Sequence, residues 1–349
     1  MKKLAYLIIL LLFVPTIVFA SSFDITADKV ILYNLNDDTI LYEQNSNEQT
    51  NIASLTKIMT ALVAIENIDD YDEYVTITAK DFEGTNGYSK AGFSIGDQVT
   101  YRDLLYGILL PSGADAVNAI VNNTLGYDAF IDAMNNKAQE IGLENTSFSN
   151  PVGKDATDNY STASDIAKLL KYALQNELFK EIFTTKEYIT SNGLNLECTL
   201  YPYKDILDID MIDGSKSGFT RGAGRCLASI TTLNGVDYLL VVIHSTTDQN
   251  YSAVLDSITI YEYYNDNYSY QTILKTNDVI KTIPVKWSKV STYNITSPEN
   301  VELYLENNTS DDLVINYEGV TEIKEFTKKG TKLGTITISD GNEILYTAD

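Results

Sequence analysis

The sequence has few histidines, cysteines and basic residues, and each shortage argues against a class of function. It contains one histidine and two cysteines among 349 residues, so zinc sites and histidine-based hydrolase sites lack their usual residues. A Ser-His-Asp triad would have to use His244, and no Gly-x-Ser-x-Gly turn accompanies it, so we expect a structural histidine at a strand end. Lys and Arg total 25 against 48 Asp and Glu, a net charge of −23, which disfavours binding to nucleic acid phosphates. We therefore expect no metal, no cofactor and no nucleic acid partner.

The two cysteines, Cys198 and Cys226, do not make a disulfide scaffold. An exported protein would allow them to pair. Cys226 begins the apolar run Cys-Leu-Ala-Ser-Ile, which favours a buried free thiol.

The N-terminus has the pattern of an export signal. Residues 2–3 are lysines, Leu4–Phe13 is apolar, Pro15 interrupts it, and Val18–Ala20 offers small residues for cleavage. The sequence therefore predicts a signal peptide over residues 1–20 and a mature protein outside the cell or in the wall space. An uncleaved membrane anchor is the alternative, although the apolar run is short for a membrane span.

The middle of the chain mixes helical and strand patterns. Lys29–Tyr42 alternates around Asn-Asp-Asp and predicts a hairpin, and Asn-Gly at 234–235 predicts a second one between strands 227–233 and 238–243. Thr100 with Asp103 forms a capping box. Helices are predicted at 54–66, 101–110, 114–122, 127–141, 162–174 and 252–264.

The composition changes after Tyr270. From Thr276 onward, short alternating strands dominate, at 301–305, 313–317 and 335–338. The sequence thus predicts a main domain over 21–270 and a small all-β domain over 271–349. The last residues show no apolar or basic amphipathic run, so we expect no stable membrane anchor there.

Ser54 and Lys57 are the first candidates for chemistry. On a helix, positions i and i+3 share a face, so the hydroxyl and the amine would lie close together. A serine can lose its proton to a lysine in that arrangement. The pair alone is weak, since an N-cap serine beside a solvated lysine is common.

Two further motifs strengthen the prediction that Ser54 and Lys57 are catalytic. Ser112-Gly113 lies at the start of a predicted helix, and Lys216-Ser217-Gly218 lies immediately before a predicted strand. The order and spacing of the three motifs are those of penicillin-recognising serine enzymes.

The chain resembles the D-alanyl-D-alanine carboxypeptidases, the low-molecular-mass penicillin-binding proteins, from about Phe23 to the C-terminus. The resemblance implies an α/β (α+β) fold, in which a β-lactamase/transpeptidase-like domain has an antiparallel sheet flanked by helices and a small all-β domain follows. The matching segments are 53–61, 101–105, 110–116, 148–151, 160–165, 218–220, 223–227 and 328–334.

The resemblance also implies roles for the catalytic residues. Ser54 would attack the carbonyl between two D-alanines of a peptidoglycan stem peptide, and a β-lactam would acylate the same serine. Lys57 would be the base, which requires its pKa to fall from about 10.4 through burial and the nearby Lys216. Ser112 would relay the proton to the leaving amine.

The third motif would bind substrate. Lys216 and Ser217 would hold the terminal carboxylate, and Gly218 and Phe219 would line the site. The backbone N–H groups of Ser54 and Phe219 would form the oxyanion hole.

The pattern departs from the family at several positions. Ala114 stands where the second motif usually has asparagine, and Asp115 and Asn118 are possible substitutes. Ser217 replaces the usual threonine, and residues 246–250 lack the arginine that family members often carry there. Residues 152–154 read Val-Gly-Lys, where His-Gly-Leu is often found.

Two alternatives to an active carboxypeptidase stay open. A wall-associated protein that binds penicillin with little turnover would follow if Ala114 impairs the site. A β-lactamase of the same fold ranks lower, because no Glu-x-x-Leu-Asn run supplies its deacylating glutamate.

Overall fold

The computed structural model describes residues 24–341 and 343–349. The predicted signal peptide lies outside the described residues. Contacts divide the chain into two units, one ending at Tyr261 and one covering Glu262–Asp349. The predicted domain boundary after residue 270 stays a prediction.

The first unit is built on a five-stranded antiparallel sheet with the order β2-β1-β9-β8-β7. Helices pack on it, as the resemblance implied, and the two predicted hairpins are confirmed as β1–β2 and β8–β9. Two short pairs, β3–β4 and β5–β6, lie outside this sheet. The strands are β1 Lys29–Asn34, β2 Thr39–Gln44, β3 Tyr74–Thr76, β4 Gln98–Thr100, β5 Glu187–Ile189, β6 Asn195–Glu197, β7 Gly214–Thr220, β8 Gly224–Leu233 and β9 Val236–Ser245.

The helices follow the predicted positions closely, with one addition. The predicted capping box is present, since Thr100 Oγ1 accepts from the Asp103 N–H at 3.1 Å and Asp103 accepts from the Thr100 N–H at 2.8 Å. Among the described residues no helix has the length and apolarity that crossing a bilayer requires. The helices are α1 Thr56–Glu66, α2 Tyr101–Leu109, α3 Ala114–Asn123, α4 Tyr127–Ile141, α5 Ala163–Ala173, α6 Glu177–Thr184 and α7 Ser252–Asn267.

Helix α1 is the central helix of the first unit. Thr56 through Ile65 are all buried, because α1 contacts α2, α3, α4, α5 and α6. A helix surrounded in this way holds the groups at its N-terminus in fixed positions.

Two local predictions were wrong, and one helix was not predicted. Ser54 lies in a 3₁₀ turn, Ala53–Leu55, that precedes α1, and not in the α-helix itself. Lys216-Ser217-Gly218 lies inside β7 and not before a strand, since β7 pairs with β8 along its whole length. α6 was not predicted, because a helix of 8 residues is too short to show a clear periodic pattern.

The second unit is all β after the end of α7, as the sequence predicted. Leu274, Val301 and Ile338 form its small buried core. Its strands are β10 Tyr268–Leu274, β11 Val279–Lys286, β12 Thr292–Thr296, β13 Val301–Glu306, β14 Val314–Gly319, β15 Ile323–Lys324, β16 Gly334–Asp340 and β17 Glu343–Ala348.

Both cysteines are buried and free. The predicted free thiol at Cys226 is confirmed, and burial raises the pKa of that thiol to about 12. Cys226 is therefore a packed, unreactive side chain and not a nucleophile.

Candidate active site

Ser54 and Lys57 meet at the N-terminal end of α1. The 3₁₀ turn directs Ser54 out of the core, and its side chain is half-buried, whereas Lys57 is 1% exposed. Lys57 Nζ donates to Ser54 Oγ at 2.9 Å and to the Val152 carbonyl at 2.9 Å. A neutral amine at that distance is within reach of the serine proton.

The burial of Lys57 gives it the protonation state that a base needs. Desolvation lowers the pKa of Lys57 to about 7, and the carboxylate of Asp115 opposes this shift. A large fraction of Lys57 is therefore neutral near pH 7, where an exposed lysine would be almost fully charged.

The loop over residues 150–154 completes the surroundings of Lys57. Asn150 Oδ1 accepts from the N–H groups of Gly153 and Lys154, both at 2.8 Å, and Thr60 Oγ1 donates to the Pro151 carbonyl at 2.7 Å. Gly153 has φ +84°, and a Cβ there would lie 1.9 Å from the Ala53 carbonyl oxygen. Glycine is therefore required where this loop supports the Ser54 turn.

Strand β7 borders the Ser54 turn. A Cβ on Gly218 would lie 2.9 Å from the Ser54 backbone nitrogen, so glycine allows the strand to approach that turn. Ser217 Oγ donates to Thr199 Oγ1 at 2.6 Å, which fixes its hydroxyl beside the strand. Thr199 was not predicted as a site residue, because nothing in its local sequence marks it.

Lys216 lies in β7, and its side chain is fully buried. Its Nζ donates to the Ser217 carbonyl at 3.0 Å. Burial, followed by the charge of Lys57, holds the pKa of Lys216 well below its ordinary value. An anion bound next to Lys216 would favour its charged form, so carboxylate binding and protonation of this amine are coupled.

Ser112 adds a second hydroxyl to the site. It precedes α3 with φ +65°, a conformation that is strained for a residue other than glycine. Its Oγ is buried and has no hydrogen-bond partner among the residues that the structure describes. A hydroxyl that lines a cleft without a partner is free to bond to a bound ligand.

The two substitutes considered for the missing asparagine are occupied elsewhere. Asp115 accepts from the N–H groups of Ala91 at 2.7 Å and Gly92 at 3.3 Å, and Asn118 donates to backbone carbonyls at 2.9 and 3.1 Å. Both side chains therefore hold loops together and do not replace the amide that Ala114 lacks.

A cleft of about 800 Å³ brings the three motifs together. Lys57 and Lys216 are buried, and each bonds to a residue that lines the cleft. Lys57 bonds to Ser54, and Lys216 bonds to the Ser217 carbonyl. His244 is exposed at the end of β9 and does not line the cleft. The predicted residues that line the cleft are Ser54, Ser112, Ser217, Gly218 and Phe219.

Arg225, which lies in the matching segment 223–227 but was not predicted as a site residue, also lines the cleft. Its guanidinium lies over the Phe219 ring at 4.3 Å from the centroid, and Nη2 donates to Asn250 Oδ1. Its Nε is buried and unpartnered within the described part of the chain. The expected family arginine is absent from residues 246–250, but a guanidinium reaches the cleft from β8.

The sequence comparisons agree with this geometry. The family model described as D-alanyl-D-alanine carboxypeptidase matches residues 16–247, and the model for the C-terminal domain of penicillin-binding protein 5 matches residues 268–349. The chain belongs to the D-alanyl-D-alanine carboxypeptidase family. It is 27% identical to the D-alanyl-D-alanine carboxypeptidase DacF of Bacillus subtilis, over 91% of this chain and 83% of that protein. It is 31% identical to the D-alanyl-D-alanine endopeptidase of Escherichia coli, over 64% of this chain and 73% of that protein.

Solved structures of the family have the same fold. Penicillin-binding protein 5 from Haemophilus influenzae matches with a TM-score of 0.69 and 22% identity, over 95% of this chain and 97% of its own. The Streptomyces K15 DD-transpeptidase matches with a TM-score of 0.62 and 30% identity, over 68% of this chain and 97% of its own. The first similarity covers both units, and the second covers about two thirds of the chain.

Proposed function

We propose that this family member removes the terminal D-alanine from peptidoglycan stem peptides through an acyl-enzyme on Ser54. The observation that carries the proposal is the 2.9 Å contact between Ser54 Oγ and Lys57, a buried lysine whose pKa is about 7. That pair supplies a nucleophile and a base without histidine.

Acylation begins when Ser54 Oγ attacks the carbonyl between the two D-alanines and its proton passes to Lys57. The C–N bond then breaks as Ser112 Oγ, next to the cleft, relays a proton to the leaving amine. Water hydrolyses the ester on Ser54 and releases the shortened peptide, with Lys57 taking the proton of the attacking water and returning it to Ser54 Oγ as the ester C–O bond breaks. Ser54 and Lys57 thereby return to their starting protonation states after each turnover.

The backbone would stabilise the charge that develops on the carbonyl oxygen. Ser54 N–H and Phe219 N–H are the two donors, since the would-be Cβ of Gly218 lies 2.9 Å from the Ser54 nitrogen and Phe219 follows it on β7. Such fixed donors favour the transition state more than the substrate.

The terminal carboxylate would bind at the β7 side of the cleft. Ser217 provides a hydroxyl there, Lys216 a buried amine, and Arg225 a guanidinium whose buried Nε has no partner among the described residues. A carboxylate bound there would accept hydrogen bonds from these groups, and those from the charged donors are the stronger kind. β-Lactams carry an equivalent carboxylate and would acylate the same serine.

Release of D-alanine from diacetyl-Lys-D-Ala-D-Ala tests this function. The wild-type chain should release it, and Ser54→Ala should lower the rate at least about 1,000-fold. The exposed Ser94→Ala is the matched control and should leave the rate unchanged. Equal release by Ser54→Ala and the wild type would contradict the proposal.

A penicillin-binding protein with little turnover is the second candidate, and the observation that favours it is the unreplaced amide at Ala114. Labelling of Ser54 by fluorescent penicillin without D-alanine release would support this candidate over the first. In that case Ala114→Asn should raise turnover, and an unchanged rate would show that the amide is not limiting.

We also propose that the protein is exported to the wall space, where stem peptides lie. The support is the pattern of residues 1–20, with basic, apolar and small residues in the order of a signal peptide. N-terminal sequencing of the exported protein should find Ser21 first, and an intact Met1 would indicate an uncleaved anchor.

A further inference from the structure

The second unit exposes two aromatic rings that stack on each other. Trp287 is 66% exposed and Phe326 is 68% exposed, and their ring centroids lie 5.7 Å apart. Val290, in the same turn as Trp287, is 63% exposed. We call these three residues the aromatic patch. Exposing so much apolar surface at one place costs free energy that a bound partner would recover.

The backbone holds this patch in place. β11 and β15 run parallel with Lys286 opposite Lys324, and the Glu325 N–H donates to the Lys286 carbonyl at 3.1 Å. Trp287 follows directly with φ +60°, a conformation that bulky residues rarely adopt. The patch is therefore a built feature of two adjoining turns.

Lysines flank the aromatic patch along the chain, and one of them contacts it. Lys324 Nζ lies 4.8 Å from the centroid of the Trp287 ring. Residues 286–291 contain two lysines and no acids, and residues 322–332 contain four lysines and two glutamates, so the two segments together carry a net charge of +4, although Lys332 forms an ion pair with Asp349. The whole chain has a net charge of −23, so these two segments are positively charged parts of an otherwise acidic protein.

This combination fits a lipid surface better than a protein. Lysine is depleted from protein–protein interfaces, whereas aromatic rings flanked by lysines are typical of proteins that enter the membrane–water boundary. A hydrophilic anionic polymer would neutralise the lysines but would leave the three apolar side chains in water.

We propose that the aromatic patch docks the second unit on an anionic membrane surface. Trp287 and Phe326 enter the headgroup region, and the flanking lysines pair with anionic lipid headgroups. Each lysine near such a surface contributes about 1 kcal/mol, which is about a fivefold change in partitioning.

Fluorescence can report on this site alone, because Trp287 is the sole tryptophan of the sequence. The full chain is mixed with phosphatidylglycerol vesicles and, separately, with phosphatidylcholine vesicles. We expect the Trp287 emission to move to shorter wavelength only with phosphatidylglycerol, and brominated acyl chains should quench it. Raising the salt from about 0.1 M to 1 M should weaken the effect.

Matched variants separate the patch from general charge. Lys289→Ala with Lys329→Ala should weaken the partitioning measured by Trp287 about 30-fold. Phe326→Ser should also weaken it, whereas Lys80→Ala with Lys275→Ala, exposed lysines elsewhere, should leave it unchanged. All these variants should keep their labelling by fluorescent penicillin, since none of the changed residues lines the cleft.

Several results would overturn the proposal. These are an unchanged emission with phosphatidylglycerol, an equal shift with phosphatidylcholine, and equal weakening by the two lysine pairs. A shift with soluble peptidoglycan fragments and none with vesicles would assign the patch to the wall polymer. A shift that grows with protein concentration alone would assign it to a second copy of the chain.

Discussion

At the scale of single residues, the protonation of Lys57 sets the pH dependence of acylation. Only the neutral amine can accept the Ser54 proton, and burial lowers the pKa of Lys57 to about 7. We predict that the rate of acylation by fluorescent penicillin falls about tenfold for each pH unit below 7 and levels off above it. A stopped-flow labelling profile from pH 5 to 9 measures this.

Asp115→Asn provides the internal control for that profile. The Asp115 carboxylate favours the charged form of Lys57, so its removal should move the midpoint to lower pH. A wild-type rate that still rises about tenfold per pH unit up to pH 9 would contradict the lowered pKa of Lys57.

Arg225 should act on substrate binding more than on chemistry. Arg225→Gln removes a charged donor from the carboxylate, so KM for the D-Ala-D-Ala peptide should rise about tenfold to 100-fold. The peptide with a C-terminal amide should show no such change, because it has no carboxylate to lose. Arg102→Gln is the matched control, as Arg102 bonds to Asp72 and does not line the cleft. Equal effects on both peptides would mean that Arg225 has a merely structural role.

At the scale of elements, the loop at 150–154 supports the Ser54 turn. Gly153→Ala would place a Cβ 1.9 Å from the Ala53 carbonyl oxygen, so we expect a loss of about 3 kcal/mol of stability and of penicillin labelling. Gly142→Ala is matched to it, since Gly142 has φ +79° and its Cβ would meet nothing within 4 Å. Gly142→Ala should cost only about 1 kcal/mol and keep full labelling. Thermal denaturation measures the stability of both variants, and penicillin labelling measures their acylation. Full labelling of a folded Gly153→Ala variant would show that this loop does not support the Ser54 turn.

The elements with strong local patterns could be predicted from the sequence. The Asn234-Gly235 turn correctly predicted the β8–β9 hairpin, and the Thr100–Asp103 capping box correctly predicted the start of α2. β7 was harder, because Gly-Ser-Lys-Ser-Gly contains none of the β-branched or aromatic residues that mark strands. Its pairing with β8 overrides that weak preference.

The site residues that belong to sequence motifs could be predicted, and those that reach the cleft only through the fold could not. Ser54, Ser112 and Ser217 all reach one cleft, as their motifs indicated. Thr199 enters the same cleft through tertiary packing, which leaves no mark in its neighbouring residues. Arg225 lies in the matching segment 223–227, but that segment alone does not show that its side chain faces the cleft. The occupation of Asp115 by backbone N–H groups likewise follows from a loop that is distant in sequence.

At the scale of the whole molecule, the described lining of the cleft lies entirely in the first unit. The Streptomyces K15 DD-transpeptidase, almost all of which aligns, corresponds to only 68% of this chain. We predict that a chain ending at Asn267 still reacts with fluorescent penicillin at a rate within about twofold of the full chain. Circular dichroism checks that the shortened chain folds. A folded chain that fails to label would show that the second unit shapes the site.

The most direct test of the account is the position of the acyl group. The protein is treated with penicillin near pH 7, digested, and the modified peptide is identified by mass spectrometry. We predict a penicilloyl ester on Ser54, absent in Ser54→Ala and formed far more slowly in Lys57→Met. An adduct on another residue, or undiminished labelling of Ser54→Ala, would contradict it.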